Sequence, residues 1–210
     1  MTRKKKTDRI RPKYPGGGIL TIHRFLTAIN RRKKFTDGEI EKIVYSWNSI
    51  KNDLSKLMIM MGIASLFGIG GVFIFVLGSY TTIRIFNGGL HENSYWKCFF
   101  ATAAWLFSGT GIALVLRFSR VIYIITCVCL LLVFVIGPIQ SERKRKMTDG
   151  DIHKRKTYTI IAGITLIVLS SILPLPEPCR LGLHCGIWME TIQIAILFLY
   201  RRRPAMKSQA

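Results

Sequence analysis

Glu190 and Gln193 are the residues whose type and position most strongly suggest a chemical role. They lie in an apolar run, 181–200, in which Glu190 is the only charged residue. Residues three apart share a face of a helix, so the two side chains would form one polar patch. An ionisable group deep in a membrane helix is costly and indicates a proton or ion path, or a polar contact between helices. If the helix instead begins at Gly186, Glu190 lies near the headgroups; we favour the buried position.

The sequence contains none of the common catalytic motifs. The sequence has no Gly-x4-Gly-Lys-Ser/Thr phosphate loop, no His-Glu-x-x-His pair and no Gly-x-Ser-x-Gly elbow. His184 has two cysteines near it, but three such residues in one loop are too few to predict a metal site. The remaining histidines, which are scattered along the chain, are His23, His91 and His153. The sequence therefore predicts no enzyme activity, no cofactor and no metal.

The five cysteines fall into two groups. Cys98, Cys127 and Cys129 lie in apolar runs, where cysteine usually behaves as a small buried hydrophobe. Cys179 and Cys185 lie in the connection "EPCRLGLHC", which would face an oxidising compartment if it is outside the cell. A Cys179–Cys185 disulfide and two free thiols both remain open.

Charge and hydropathy together decide the class of the protein. The chain carries 31 Lys and Arg against 11 Asp and Glu, a net charge of +20, which on its own is typical of nucleic-acid binding. However, half of the residues are hydrophobic and the mean hydropathy is +0.31. The charges occur in clusters and the apolar runs are almost uninterrupted, which is typical of membrane proteins. Nucleic acid is therefore an unlikely partner.

Five apolar runs predict the fold. A helix that crosses the hydrocarbon core needs roughly 20 apolar residues. The runs are 57–83, 98–116, 121–141, 157–176 and 181–200. They predict an all-α integral membrane protein, a bundle of four to five transmembrane helices with an amphipathic N-terminal surface helix.

The domain organisation follows from these runs. We expect a basic, disordered arm (1–35), an amphipathic surface helix (36–56), a transmembrane helical domain (57–203) and a tail (204–210). Basic loops tend to be cytoplasmic, so the arm, the loop 142–156 and the C-terminus should all be inside, in a plasma or inner membrane. Two segments on the same side of a membrane must be separated by an even number of crossings, but three apolar runs lie between the arm and that loop. Four and five crossings therefore both remain open.

The loop "ERKRKMTDGDIHKRK" at 142–156 resembles "RRKKFTDGEIEKIV" at 31–44. In each, Thr followed three residues later by an acid predicts a capped helix start. The pair records either an internal duplication or two uses of the same helix-start chemistry. Near the membrane surface each Lys or Arg contributes about 1 kcal/mol of attraction to anionic lipids. The predicted lipid-contacting residues are Arg143, Lys144, Arg145, Lys146, Lys154, Arg155 and Lys156.

Small residues form stripes in the first two apolar runs. Small side chains let helix backbones approach closely in lipid, so these stripes predict a helix-packing face. Its members are Ala64, Gly68, Gly71, Ala101, Ala104, Ser108 and Gly111.

Two functions agree with these features. The first is a small multi-pass protein without catalytic machinery that binds another membrane protein, as an accessory or assembly subunit or as a blocker of the immunity or exclusion type. The alternative is a small oligomeric channel or transporter with Glu190 and Gln193 in its polar path. The expected partners are the bilayer with its anionic headgroups and another membrane protein or a second copy of the chain.

Overall fold

The computed structural model describes residues 37–88, 95–138 and 148–207. Within these ranges the chain forms six helices and no strand. The helices are α1 (Asp37–Leu66), α2 (Gly70–Asn87), α3 (Tyr95–Val115), α4 (Arg120–Ile136), α5 (Asp149–Ile172) and α6 (Glu177–Lys207).

The predicted all-α membrane class is confirmed. Among the described residues, three helical segments are long and apolar enough to cross a membrane, and α4 is a shorter apolar helix. The three segments are Tyr95–Val115, Asp149–Ile172 and Glu177–Tyr200. Many of their large apolar side chains face outward, where lipid rather than water would solvate them.

The first apolar run, 57–83, does not form one helix. Helix α1 continues through residue 56, where the sequence predicted a boundary, and ends at Leu66. Helix α2 begins at Gly70 after a three-residue break. Gly68 has a φ of +72°, a left-handed conformation that glycine adopts without steric cost. The run therefore supplies the end of one helix and most of the next.

By its internal contacts the chain divides into two units, Met1–Leu54 and Ser55–Ala210. In the first unit the structure describes residues 37–54 of α1, which begins directly after the predicted cap at Thr36. Trp47 and Ile50 of this part of α1 are exposed. The second unit contains the helix bundle.

Helix α6 lies at the centre of the bundle. It contacts α2, α3, α4 and α5, and every residue from Leu181 to Thr191 is buried. Two glycines allow α6 to approach α2 closely, since a β-carbon on Gly182 would lie 3.2 Å from the Val72 carbonyl oxygen and one on Gly186 would clash with Ser79.

Most residues of the predicted helix-packing face do not pack inside the bundle. Ala64 is buried, but the other six predicted residues are exposed. A β-carbon on any of the three predicted glycines, Gly68, Gly71 and Gly111, would have no neighbour within 4 Å. Contact between this face and another chain stays a prediction.

The second Thr-Asp-Gly segment does start a helix, but not with the predicted cap. Thr148 is the N-cap of α5, yet its side chain makes no capping hydrogen bond. Asp149 and Asp151 instead place negative charge in the first turn, where the helix dipole favours it. The first copy's Thr36 lies outside the described residues.

Of the three basic residues that follow in the first turns of α5, one is exposed and two contact other helices. Lys154 is exposed, whereas Arg155 donates to the Phe86 carbonyl oxygen at 3.4 Å and Lys156 lies over the Phe134 ring. The predicted lipid contacts Arg143, Lys144, Arg145 and Lys146 lie outside the described ranges.

The Cys179–Cys185 disulfide is not formed, and both residues are free thiols. Both lie on α6. Six residues of helix place their Cα atoms about 9 Å apart, beyond the span of a disulfide. The expected burial of cysteines in the apolar runs holds for Cys98 but not for Cys127, which is exposed.

Candidate functional site

The structure brings Glu190 and Gln193 together on one face of α6, opposite two residues of α2. Arg84 donates from Nη1 to the Gln193 amide oxygen at 2.9 Å and to the Tyr80 hydroxyl at 2.6 Å. The Tyr80 hydroxyl in turn donates to the same amide oxygen at 2.6 Å. The Glu190 carboxylate lies 3.6 Å from Arg84 Nη1. We call these four residues the polar cluster.

Glu190 is unusual because its carboxyl group is fully buried. Its side chain is completely buried, whereas that of Arg84 is 22% exposed. Arg84 and Tyr80 of α2 are the polar neighbours of its carboxyl group. A buried carboxylate is strongly unfavourable unless a cation offsets the loss of hydration, and Arg84 supplies that cation.

Cys98 lies beside the polar cluster. It is the fourth residue of α3 and only 7% exposed, and it is close enough to Tyr80 for a charge on one to act on the other. Reactive cysteines often occupy the first turn of a helix. The polar patch predicted on α6 therefore has a cysteine near it, on α3. The sequence alone predicts that this cysteine is a small buried hydrophobe.

His184 lies at the centre of a second buried group. Its Nδ1 is 2.9 Å from the Thr126 hydroxyl and its Nε2 is 3.0 Å from the Ser170 hydroxyl. The Trp188 indole also donates to Thr126, at 2.9 Å. These bonds connect α4, α5 and α6 and occupy both ring nitrogens. His184 is therefore a structural residue.

A metal site is not evident. In the ranges that the structure describes, no three His, Cys, Asp or Glu side chains are grouped so that they could hold an ion. His153 is exposed at the start of α5, far along the chain from the thiols of α6.

Comparison with known proteins identifies the family. Residues 22–200 match the family described as accessory gene regulator B. The chain belongs to this family. The accessory gene regulator protein B of Staphylococcus haemolyticus (strain JCSC1435) is 22% identical over 186 residues, which cover 86% of this chain and 95% of that protein. No solved structure matches the chain.

Membership of the accessory gene regulator B family corrects three predictions. The chain is not a non-catalytic partner of another membrane protein, not a channel or transporter, and the expectation of no enzyme activity is wrong. The family consists of membrane cysteine endopeptidases that process the AgrD pro-peptide. The motif search missed this because a cysteine nucleophile and its base need no fixed local motif.

Proposed function

We propose that this chain is a membrane-embedded cysteine endopeptidase that cleaves a pro-peptide of the AgrD type, with Cys98 as nucleophile and His91 as its general base. The observation that carries the proposal is the position of Cys98, in the first turn of α3 and beside the polar cluster. His91 precedes Cys98 by seven residues and lies in the connection between α2 and α3, outside the described ranges.

The other four cysteines fit this role less well. Cys127 and Cys129 lie in the middle of α4, where no helix terminus favours a thiolate. Cys185 is completely buried. Cys179 is also in a first helical turn, but the histidine of its own helix, His184, has both ring nitrogens hydrogen-bonded.

The reaction follows from these two residues. His91 takes the thiol proton, and the Cys98 sulfur bonds to the carbonyl carbon of the scissile amide. The C–N bond breaks as His91 returns the proton to the leaving amine. This leaves an acyl-enzyme thioester, which water then hydrolyses to free the thiol.

We also propose that the loop 142–156 and the C-terminus are cytoplasmic, which would put Cys98 near the cytoplasmic surface. The end of α2 and the start of α5, which follows this loop, meet where Arg155 contacts Phe86. Tyr95, at the start of α3, hydrogen-bonds Ser55 of α1 at 2.9 Å.

Lipid contact is part of the same proposal. Lys154 is exposed beside the start of α5, and Arg143, Lys144, Arg145 and Lys146 precede it in the sequence. Such a cluster at the cytoplasmic surface attracts anionic headgroups.

The test is cleavage of an AgrD-type pro-peptide with a C-terminal tag in proteoliposomes containing the full chain. We expect Cys98→Ser and His91→Ala to abolish the tagged fragment. Cys127→Ser is the matched control and should cleave at the unaltered rate, because this exposed thiol lies in the middle of α4. Cleavage by Cys98→Ser at the unaltered rate would refute the proposal.

A further inference from the structure

We propose that a groove between the end of α2 and the start of α5 binds the headgroup of one anionic phospholipid. The groove has a volume of about 540 Å³ and is lined by Ile85 and Phe86 of α2 and by Asp151, Lys154, Arg155 and Tyr158 of α5. We call it the α2–α5 groove. This site goes beyond the cleavage reaction. It rests on the lipid contact proposed for the loop 142–156 and turns a diffuse attraction into one defined site.

Contacts between the two helices form the walls of the groove. The buried Thr159 hydroxyl of α5 donates to the Asn87 amide oxygen of α2 at 3.3 Å. The rings of Phe86 and Tyr158 pack against each other with their centres 5.8 Å apart. Arg155 donates from Nη1 to the Phe86 carbonyl oxygen at 3.4 Å. The groove is therefore part of the packed contact between α2 and α5.

Two cations in the groove suit a phosphate group. Lys154 is exposed, and its ammonium group has three donors. A guanidinium group has five N–H donors, and the bond from Arg155 to Phe86 uses one of them. Hydrogen bonds from such cations to phosphate oxygens are stronger than those between neutral groups. One phosphodiester could accept from both side chains.

The third charged residue of the groove narrows the choice of headgroup. Lys154 and Arg155 contribute two positive charges and Asp151 one negative charge, which leaves +1. This net charge complements a lipid with one negative charge. The Asp151 carboxylate can also accept a hydrogen bond from a headgroup hydroxyl. Phosphatidylglycerol has both features, whereas phosphatidylcholine has no net charge and no hydroxyl in its headgroup.

An exposed apolar face continues from the groove along α5. Tyr158, Ile161, Ile164 and Val168 are all exposed, and their spacing of three or four residues places them on one side of the helix. From Tyr158 to Val168 the helix rises about 15 Å. This is half of the roughly 30 Å of the hydrocarbon core, the depth of one leaflet. A charged groove above an apolar face of this length matches a whole lipid rather than a free phosphate.

The position of the groove in the bilayer agrees with this ligand. Helix α5 is one of the three candidate membrane spans, and the charged lining residues lie in its first two turns. Headgroups would surround this end of a spanning helix. Ile85, at the end of α2, is 65% exposed and offers an apolar surface on the other side of the groove.

The experiment is native mass spectrometry of the full chain in detergent, which counts bound lipid molecules. The probes are phosphatidylglycerol and phosphatidylcholine with identical acyl chains. We expect one phosphatidylglycerol to bind roughly tenfold more tightly than phosphatidylcholine. Lys154→Gln should weaken phosphatidylglycerol binding about fivefold. Because Lys154 is exposed, this variant should fold as the unaltered chain does.

Lys97→Gln is the matched control. Lys97 is also exposed near the start of a helix, but it belongs to α3 and does not line the groove. The two variants remove the same charge, so they have the same effect on a diffuse attraction. We expect Lys97→Gln to bind phosphatidylglycerol as the unaltered chain does. Equal weakening by both variants would overturn the defined site and leave only the diffuse lipid contact.

Two competitors test other occupants of the groove. Glycerol 3-phosphate has the phosphate group without acyl chains, and at the same concentration as the lipid it should not displace phosphatidylglycerol. Displacement would assign the groove to a soluble phosphate and overturn the inference. Displacement by an AgrD-type pro-peptide would assign the groove to the substrate and would also overturn it.

The remaining outcome separates this site from the proposed function. Equal binding of phosphatidylglycerol and phosphatidylcholine by the unaltered chain would refute both the site and the proposed lipid contact. It would leave the peptidase reaction unaffected, because cleavage by Cys98→Ser tests that reaction independently.

Discussion

Gly186 of α6 lies so close to Tyr80 of α2 that a β-carbon on Gly186 would be 2.8 Å from the Tyr80 amide nitrogen. It would also clash with the Ser79 hydroxyl and the Val76 carbonyl oxygen. Backbone atoms cannot move aside as the end of a flexible side chain can. The spacing of α2 and α6, and with it the distance between Arg84 and Glu190, therefore depends on the absence of a side chain at position 186.

The first prediction follows from this spacing. Gly186→Ala should lower the free energy of unfolding by about 1–3 kcal/mol, because one methyl group overpacks the helix contact. Gly78→Ala is the control, since a β-carbon at that position of α2 would have no neighbour within 4 Å. Unfolding in detergent measures both. Equal stability of the two variants would contradict this account of the α2–α6 contact.

The second prediction concerns His184. Replacement by alanine removes the partner of the Thr126 and Ser170 hydroxyls in a buried region. Both hydroxyls still donate to carbonyl oxygens of their own helices, so each lost hydrogen bond should lower the free energy of unfolding of His184→Ala by about 0.5–1.5 kcal/mol. His153→Ala removes an exposed histidine of α5 and should unfold as the unaltered chain does.

The third prediction is that the protein contains five free thiols. Denaturation with iodoacetamide and without reductant should add five alkyl groups, as mass spectrometry would show. Three added groups would indicate a disulfide and would contradict the placement of Cys179 and Cys185 on one helix.

The fourth prediction tests the proposed topology. Ser119 and Thr148 are exposed and lie at opposite ends of the segment that contains α4. In a chain without native cysteines, Thr148→Cys should react with an impermeant maleimide only from the cytoplasmic side, and Ser119→Cys only from the other. Labelling of both from one side would rule out this orientation.

The sequence predicted the helical membrane class and the patch on α6, because both depend on local properties. The length of an apolar run is local, and so is the three-residue spacing of Glu190 and Gln193. Their partners, Arg84 and Tyr80, belong to another helix. Pairing between helices more than a hundred residues apart leaves no pattern in a single sequence.

Two other features could not be predicted from the sequence, for different reasons. Gly68 and Gly71 look alike in the sequence, yet only Gly68 has the positive φ at which the first apolar run breaks. Cys98 lies in an apolar run, where a cysteine usually behaves as a small buried hydrophobe. Only its position near the polar cluster, together with the family, led us to propose it as the nucleophile.

The central position of α6 has a consequence for biosynthesis. This helix leaves the ribosome after α2, α3, α4 and α5, yet it contacts all four and supplies Glu190 and Gln193. Until α6 enters the membrane, Arg84 lacks the Glu190 carboxylate and the Gln193 amide, and the earlier helices have no common neighbour. A nascent chain would therefore hold its earlier helices in the membrane without their shared packing partner until this last helix inserts.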